Sequence, residues 1–383
     1  MRDGDQTGED EMILNGNSLD VLKTMPDRSV QMCVTSPPYY GLRDYGIDGQ
    51  IGLEETPQEF IAKLVDVFRE VRRVLKDDGV LWVNIGDSYC GTGDKGNYKD
   101  PKYANGRNGQ TKSLNKDVSG CKHKDLIGIP WMLAFALRDD GWYLRQDIIW
   151  HKPNPMPESV KDRCTKSHEY IFLLSKKPHY FFDGEAISEP VTESTIERVS
   201  QDIENQKGTF IETGIGYTKP MKACLPKFGG SKYGDSENEH FRTSSGKEYD
   251  PFAKYKNLAD KGQQPNTMHE RRANGEKDIF YPRRNKRDVW SVTTKPYRGA
   301  HFATFPEDLI LPCILAGSRK GDTVLDPFNG AGTTGVVCRK QGREYIGIEL
   351  NPEYVKLSEE RIKEVKDQLY MEENQISLFK EDT

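Results

Sequence analysis

Between Asp322 and Leu350 the chain reads DTVLDPFNGAGTTGVVCRKQGREYIGIEL. No other stretch restricts the fold as much. An apolar run ends in Asp326-Pro327-Phe328, a turn Asn329-Gly330-Ala331-Gly332 follows, a helical pattern runs from Thr333 to Lys340, and a second apolar run closes at Glu349. That is strand, glycine turn, helix and strand, with an acidic residue about 20 residues beyond the turn, as in nucleoside-binding units on parallel sheets. Gly330 and Gly332 let the backbone approach a ligand closely. A carboxylate at position 349 can accept hydrogen bonds from both hydroxyls of a ribose.

The same residues restrict the ligand. A phosphate-binding P-loop needs Gly-Lys-Ser/Thr after its glycines, whereas Gly332-Thr333-Thr334 stands here. A dinucleotide site usually shows three spaced glycines with a helix N-terminus aimed at pyrophosphate. Asp326 instead ends the strand where it would repel phosphates. An acidic strand end suits a cationic group, such as the amino group of S-adenosylmethionine.

A second unusual stretch lies near the amino end. Val34 to Gly46 reads VTSPPYYGLRDYG, so the strand Ser29 to Thr35 runs into two prolines and two tyrosines. Proline fixes φ and has no N–H, which makes a stiff turn with free carbonyls. Before it, Glu11 to Leu14 reads as a strand and Ser18 to Met25 as a helix capped by Asn17 or Ser18. After it, Phe60, Leu64, Val67, Phe68, Val71 and Leu75 recur at helical spacing in Thr56 to Leu75. A KDDG turn at Lys76 to Gly79 and the strand Val80 to Ile85 complete a strand–helix–strand unit, the mark of a parallel sheet. Pro130 to Asp139 reads as a helix, Tyr143 to Trp150 as a strand, and Glu169 to Ser175 with Tyr180 to Phe182 as a closing strand pair. Regular patterning resumes at Asp288 to Val292, with helices near Pro306 to Ala316 and from Asn351 to Lys366.

The expected organisation is a disordered tail 1–10, a first half 11–184 with a long mobile loop 91–124, a polar and increasingly basic region 185–288, a second half 289–366 and a polar tail 367–383. With 383 residues the chain can bury a sizeable core and hold two domains. Seven scattered cysteines without a CxxC pair indicate neither a zinc ribbon nor a disulfide framework, and fit a reducing cytoplasm. No window approaches a membrane-spanning run. The net charge of −5 means that nucleic-acid binding would rest on local basic clusters.

With these motifs the chain resembles the β group of DNA amino-methyltransferases, which act on N4 of cytosine or N6 of adenine. Thr35-Ser36-Pro37-Pro38-Tyr39 resembles the family's catalytic motif, Asp326-Pro327-Phe328-x-Gly330-x-Gly332-Thr333-Thr334 its cofactor motif, and Gly347-Ile348-Glu349-Leu350-Asn351 its ribose-binding element. Ile148 to Pro155, His168-Glu169-Tyr170 and Phe302 to Leu309 are similar to further family segments. The order, with catalytic motif first, variable region next and cofactor motif last, defines the group. The resemblance implies a Rossmann-like α/β fold, with a seven-stranded mostly parallel sheet, helices on both faces and an inserted target-recognition region.

It also implies S-adenosyl-L-methionine as cofactor, held by Asp326, Pro327, Phe328, Gly330, Gly332, Thr333, Glu349 and Asn351, and no metal. Ser36, Pro37, Pro38 and Tyr39 would carry catalysis. Ser36 Oγ and the Pro37 carbonyl would accept the two N–H groups of an exocyclic amine and free its lone pair, while Tyr39 stacks on a flipped-out base. Ser at the first motif position leans toward cytosine N4, with adenine N6 as the alternative. Tyr40 and Trp150 could line the base pocket or belong to the core. Lys152, Arg271, Arg272, Arg283 and Arg284 are candidate DNA contacts. Double-stranded DNA is the implied substrate, a cognate restriction endonuclease could accompany the protein, and the chain would be a monomer or homodimer in a bacterial, archaeal or phage-infected cytoplasm.

Three rivals compete. RNA or protein-glutamine methylation uses related Pro-Pro-Tyr turns but usually places the cofactor motif first. Carbon-5 methylation of cytosine needs a Pro-Cys nucleophile, yet Pro312-Cys313 lies inside an apolar helical pattern and reads as core. A DNA-binding module without activity would not need Ser36, Asp326 and Glu349 together.

Overall fold

The computed structural model describes residues 12–42, 46–91, 121–192, 283–294 and 305–381. Most of the expected loop 91–124, most of the region 185–288 with Arg271 and Arg272, and the tail 1–10 lie outside the described residues. The chain divides into two units, Met1–Ile187 with Arg287–Thr383, and Ser188–Lys286.

The first unit is built on strands β1 (Met12–Asn15), β2 (Val30–Thr35), β3 (Leu75–Ile85), β4 (Tyr143–His151), β5 (His168–Ser175), β8 (Val289–Ser291), β9 (Thr323–Asp326) and β10 (Glu344–Glu349). They form one sheet in the order β1-β10-β9-β2-β3-β5-β4-β8. β5 runs antiparallel to both neighbours, and every other pairing is parallel. Among the described residues the sheet therefore has eight strands rather than the expected seven. The eighth is only three residues long and docks beside β4, with Trp290 buried and 6.3 Å from Trp82.

Helices cover both faces, and side-chain alternation along the strands explains why. Leu81, Val83 and Ile85 point into a core with helices α1 (Ser18–Thr24), α2 (Pro57–Val74) and α3 (Ile129–Asp139), while Val80 and Trp82 point into an opposite core with α4 (Glu307–Gly317), α5 (Thr333–Lys340) and the start of α6 (Pro352–Glu381). α2 begins with Thr56 as a cap, its hydroxyl accepting from the Glu59 N–H at 3.2 Å, and Pro57 in the first turn. Its apolar stripe, Phe60, Leu64, Val67, Phe68 and Val71, is buried as the spacing predicts. Cys313 is fully buried in α4, a core position.

Three expectations need correction. The KDDG segment does not end the ladder: β3 spans it, with Leu75 pairing Val30 and Val80 pairing Met32 across a register shift. Gly79 permits this, because a Cβ there would lie 2.9 Å from the Gln31 carbonyl oxygen. Tyr180 to Phe182 form no strand; the Phe181 N–H donates to the Asp78 carbonyl at 2.9 Å and Phe182 stacks on Trp82, so the segment packs as a loop while β5 pairs with β3 and β4. α6 does not stop near Lys366 but continues to Glu381, since no Gly or Pro interrupts that stretch.

The second unit's described residues form a two-stranded antiparallel pair, β6 (Glu189–Pro190) with β7 (Arg283–Arg284). Among the described residues no helix is long and apolar enough to cross a membrane.

Candidate active site

The two motif turns, far apart in sequence, leave neighbouring strands at the same edge of the sheet. β2 and β9 pair through Met32 with Val324 and Cys33 with Leu325. Thr35 and Asp326 then end their strands side by side, and the Thr35 hydroxyl donates to Asp326 Oδ1 at 2.6 Å. Ser36 follows Thr35 directly, so one buried hydrogen bond ties the proline corner to the glycine turn.

Asp326 is 1% exposed and fully engaged. Besides Thr35, the Phe328 N–H donates to Oδ1 at 3.0 Å and the Thr334 hydroxyl to Oδ2 at 2.7 Å. Burial pushes this carboxyl up to about 6 against the opposing pull of its three donors. The expectation of an acidic strand end facing a cationic group fits this poorly: the carboxylate turns inward and shapes both turns. Pro327 is buried, and its carbonyl accepts from Ser18 Oγ at 2.6 Å. Thr333 is buried beside the Arg361 guanidinium, which also donates to the Ala331 carbonyl.

The rest of the turn is held from within. Asn329 is buried; its Nδ2 donates to Ser358 Oγ at 3.0 Å and its Oδ1 accepts from the Tyr345 hydroxyl at 2.7 Å. Gly332 sits at φ +74, and a Cβ there would come 2.6 Å from that of Ser358. Gly330 differs. At φ +53 its added Cβ would meet only the Phe328 carbonyl oxygen, at 3.9 Å, so this glycine borders open space. Phe328 beside it is half-buried.

Glu349 ends β10 next to that space. Its Oε2 accepts from the Gly330 N–H at 2.7 Å and its Oε1 from the Asn351 N–H at 2.8 Å. Desolvation raises its pKa. The Leu350 N–H also acts on this carboxylate, so three backbone donors take part of its roughly four lone-pair sites and leave the remainder for a ligand. These features fit a nucleoside with two adjacent hydroxyls. The Asn351 carboxamide oxygen is engaged otherwise, accepting from the Glu353 N–H at 2.9 Å at the start of α6.

The proline corner is more open. Ser36 Oγ lies 3.4 Å from Asn84 Oδ1 at the end of β3. The Tyr39 hydroxyl donates to Glu169 Oε2 at 2.7 Å, and its ring lies against Gly86, where a Cβ would be 2.6 Å from Cε2. Lys152 donates to Glu169 Oε1, and its ammonium sits 4.2 Å from the Trp150 ring centroid. Asn84 donates to the Tyr170 carbonyl at 3.1 Å. Lys152, Glu169, Tyr39, Asn84 and Ser36 thus form one polar chain across β4, β5 and β3 to the corner.

Tyr40 and Trp150 take core places. Tyr40 is 4% exposed, packs 5.4 Å from Phe60 and donates to the Glu55 carbonyl at 3.1 Å, with burial pushing its pKa up to about 12. Trp150 is buried and its indole donates to the Val292 carbonyl at 2.8 Å. In the second unit Arg283 donates to Ser188 Oγ at 2.6 Å, and Arg284 pairs with Glu189 at 3.5 Å. Sequence reasoning missed Asn84 and gave Thr35 and Thr334 no role of their own. A polar residue inside the apolar run Val80 to Ile85 was the available signal for Asn84.

Residues 30–360 match the DNA methylase family. The type II methyltransferase M.Cfr9I of Citrobacter freundii is 43% identical over 351 residues, covering 91% of this chain and 87% of that protein. M.SmaI of Serratia marcescens is 41% identical over 351 residues, covering 91% and 90%. The solved cytosine-N4-specific PvuII DNA methyltransferase aligns over 94% of this chain and 91% of that one, at 18% identity and TM-score 0.49. That last likeness is too slight to carry an argument.

Proposed function

The chain belongs to the DNA methylase family, and from that premise we propose that it transfers a methyl group to an exocyclic amine of a base in double-stranded DNA, with cytosine N4 favoured over adenine N6. The observation that carries this reading is the 2.6 Å hydrogen bond between Thr35 and Asp326, which brings the proline corner and the glycine turn to one place. S-adenosyl-L-methionine, when bound, supplies an electrophilic methyl group. Glu349 would hold its ribose, with the Gly330 backbone and Phe328 bordering the rest.

An exocyclic amine is a poor nucleophile because its lone pair is delocalised into the ring. Ser36 Oγ and the Pro37 carbonyl accept its two N–H bonds and favour a pyramidal nitrogen. Pro37 and Pro38 keep those acceptors fixed, so little reorganisation is needed as charge develops. Tyr39, braced through its hydroxyl by Glu169, offers a ring face to the base. The neutral corner of Ser36 and Asn84 supports cytosine N4 through the family tendency of Ser at this position.

The relatives are named type II methyltransferases. That supports a site-specific enzyme with a cognate restriction endonuclease as its functional partner, and a target-recognition role for the region 185–288. Nucleoside analysis of DNA from cells expressing the protein tests the chemistry. N4-methylcytosine is the expected product, N6-methyladenine would transfer the assignment to the alternative base, and no modified base from folded protein would overturn the reading.

A further inference from the structure

The connection between β4 and β5 spans residues 152–167 and reads KPNPMPESVKDRCTKS. Three prolines, at 153, 155 and 157, alternate along its first half, and Met156 between the last two is 84% exposed. No other large apolar residue among those described reaches that exposure; the next, Val289, is at 55%. A single exposed leucine or methionine on a floppy loop would need no explanation. This loop is not floppy. The Lys152 N–H donates to the Ser167 carbonyl at 2.8 Å and closes its mouth. Asn154 and Thr294 exchange two hydrogen bonds, at 3.2 and 3.0 Å. Arg163 pairs with Glu158 and stacks 4.1 Å from the Tyr89 ring centroid, and Lys166 donates to the Asp87 carbonyl at 3.1 Å. Prolines and tethers together hold an apolar side chain out in water.

The position of the loop is informative. It leaves the sheet at the same edge as Ser36, and its first residue, Lys152, pairs with the Glu169 that holds the Tyr39 hydroxyl. Met156 is four residues further on, so its Cα lies within about 14 Å of the Lys152 Cα. Of the loop's four basic side chains, Lys152, Arg163 and Lys166 serve as internal tethers, and Lys161 is exposed and suits a phosphate backbone nearby.

Resting on the reading of the protein as a DNA amino-methyltransferase, we propose that Met156 is the wedge that enters the duplex stack as the target base leaves it. Apolar side chains, methionine among them, fill such gaps in other DNA-bending proteins. A flipped base abandons its stacking partners, and a held methionine on a rigid loop replaces part of that contact with no loss of loop entropy. Met156 does not touch the reacting atoms; it stabilises the open duplex from which Ser36 and Tyr39 receive the base.

The test compares two duplexes containing the protein's own methylation sequence. In one the target base is paired; in the other it stands opposite an abasic gap and is already loosely stacked. Met156→Ala is expected to lower kcat/KM about tenfold on the paired duplex and less than about threefold on the gapped one, with an unchanged melting temperature and recovery in Met156→Leu. Equal losses on both duplexes, or no loss on either, would overturn the wedge. Absence of methylation by the unaltered protein on both duplexes would instead sink the underlying enzyme reading, and the wedge with it.

Discussion

The glycine turn and the proline corner sit at the same sheet edge but are built in opposite ways. Apart from Gly330, which borders open space, the turn is held from within. Asp326 has three donors, Asn329 is held by Ser358 and Tyr345, and Gly332 is pressed against Ser358. The corner is left open, with Ser36 making one long 3.4 Å contact and Tyr39 held mainly at its hydroxyl. Buried polar groups must find partners inside the protein, whereas acceptors meant for a substrate must be left incompletely satisfied. The turn is therefore part of the folding core, whereas the corner keeps the unsatisfied polar groups that the proposed substrate requires.

The sharpest way to break this contrast is to remove the shared carboxylate. Asp326→Ala strands the Thr35 and Thr334 hydroxyls and the Phe328 N–H, and each stranded buried donor costs about 1–3 kcal/mol. A loss of about 3 kcal/mol or more in unfolding free energy is expected, with cofactor affinity and turnover falling together; wild-type melting behaviour would erase the distinction. Ser36→Ala should do the reverse. Turnover should fall roughly 100-fold or more, as on loss of a preorganised polar group, with melting temperature and S-adenosylmethionine affinity nearly unchanged. A Ser36→Ala variant that melted early would make the corner structural as well.

Proton linkage sharpens the comparison further. Burial raises the Asp326 carboxyl to about 6, above its value in the unfolded chain, so the folded state holds this proton more tightly. The stabilisation linked to that proton is fully present below about pH 4 and is lost as pH rises through about 6. Relative to Asp326→Asn, the wild-type protein should lose up to about 3 kcal/mol across that window, measured by urea unfolding at each pH. A difference that stayed flat from pH 4 to 7 would mean that the carboxylate is not buried as described. The smallest effects separate the two tyrosines. Tyr40→Phe should cost about 1 kcal/mol of stability and leave turnover alone, while Tyr39→Phe, which frees the ring from Glu169, should lower turnover severalfold with little change in melting.

Much of this was legible in the residues alone. Asp322 to Leu350 announced strand, glycine turn, helix and strand because period and turn chemistry agree there, and all four elements stand where expected. The α2 stripe and the pairing of β2 with β3 were readable for the same reason. What escaped depends on contacts distant in sequence. Nothing local tells that Thr35 donates to Asp326, because the two are 291 positions apart. Tyr39 and Tyr40 are adjacent and chemically alike, and only the fold sends one to Glu169 and the other to Phe60. β8 lies within the patterned stretch Asp288 to Val292, but its place beside β4 was not legible, and the helix beyond Lys366 is polar enough to read as a tail.

The central claim is that one site, at the ends of β2 and β9, serves both the cofactor and the amine to be methylated. A crystal structure of the protein with S-adenosylhomocysteine tests it most directly. The account predicts the ribose hydroxyls on the Glu349 carboxylate and the sulfur facing Ser36 across a gap that a nucleobase amine can fill. A nucleoside bound away from Glu349, or a sulfur turned from Ser36 with protein packed between them, would contradict it.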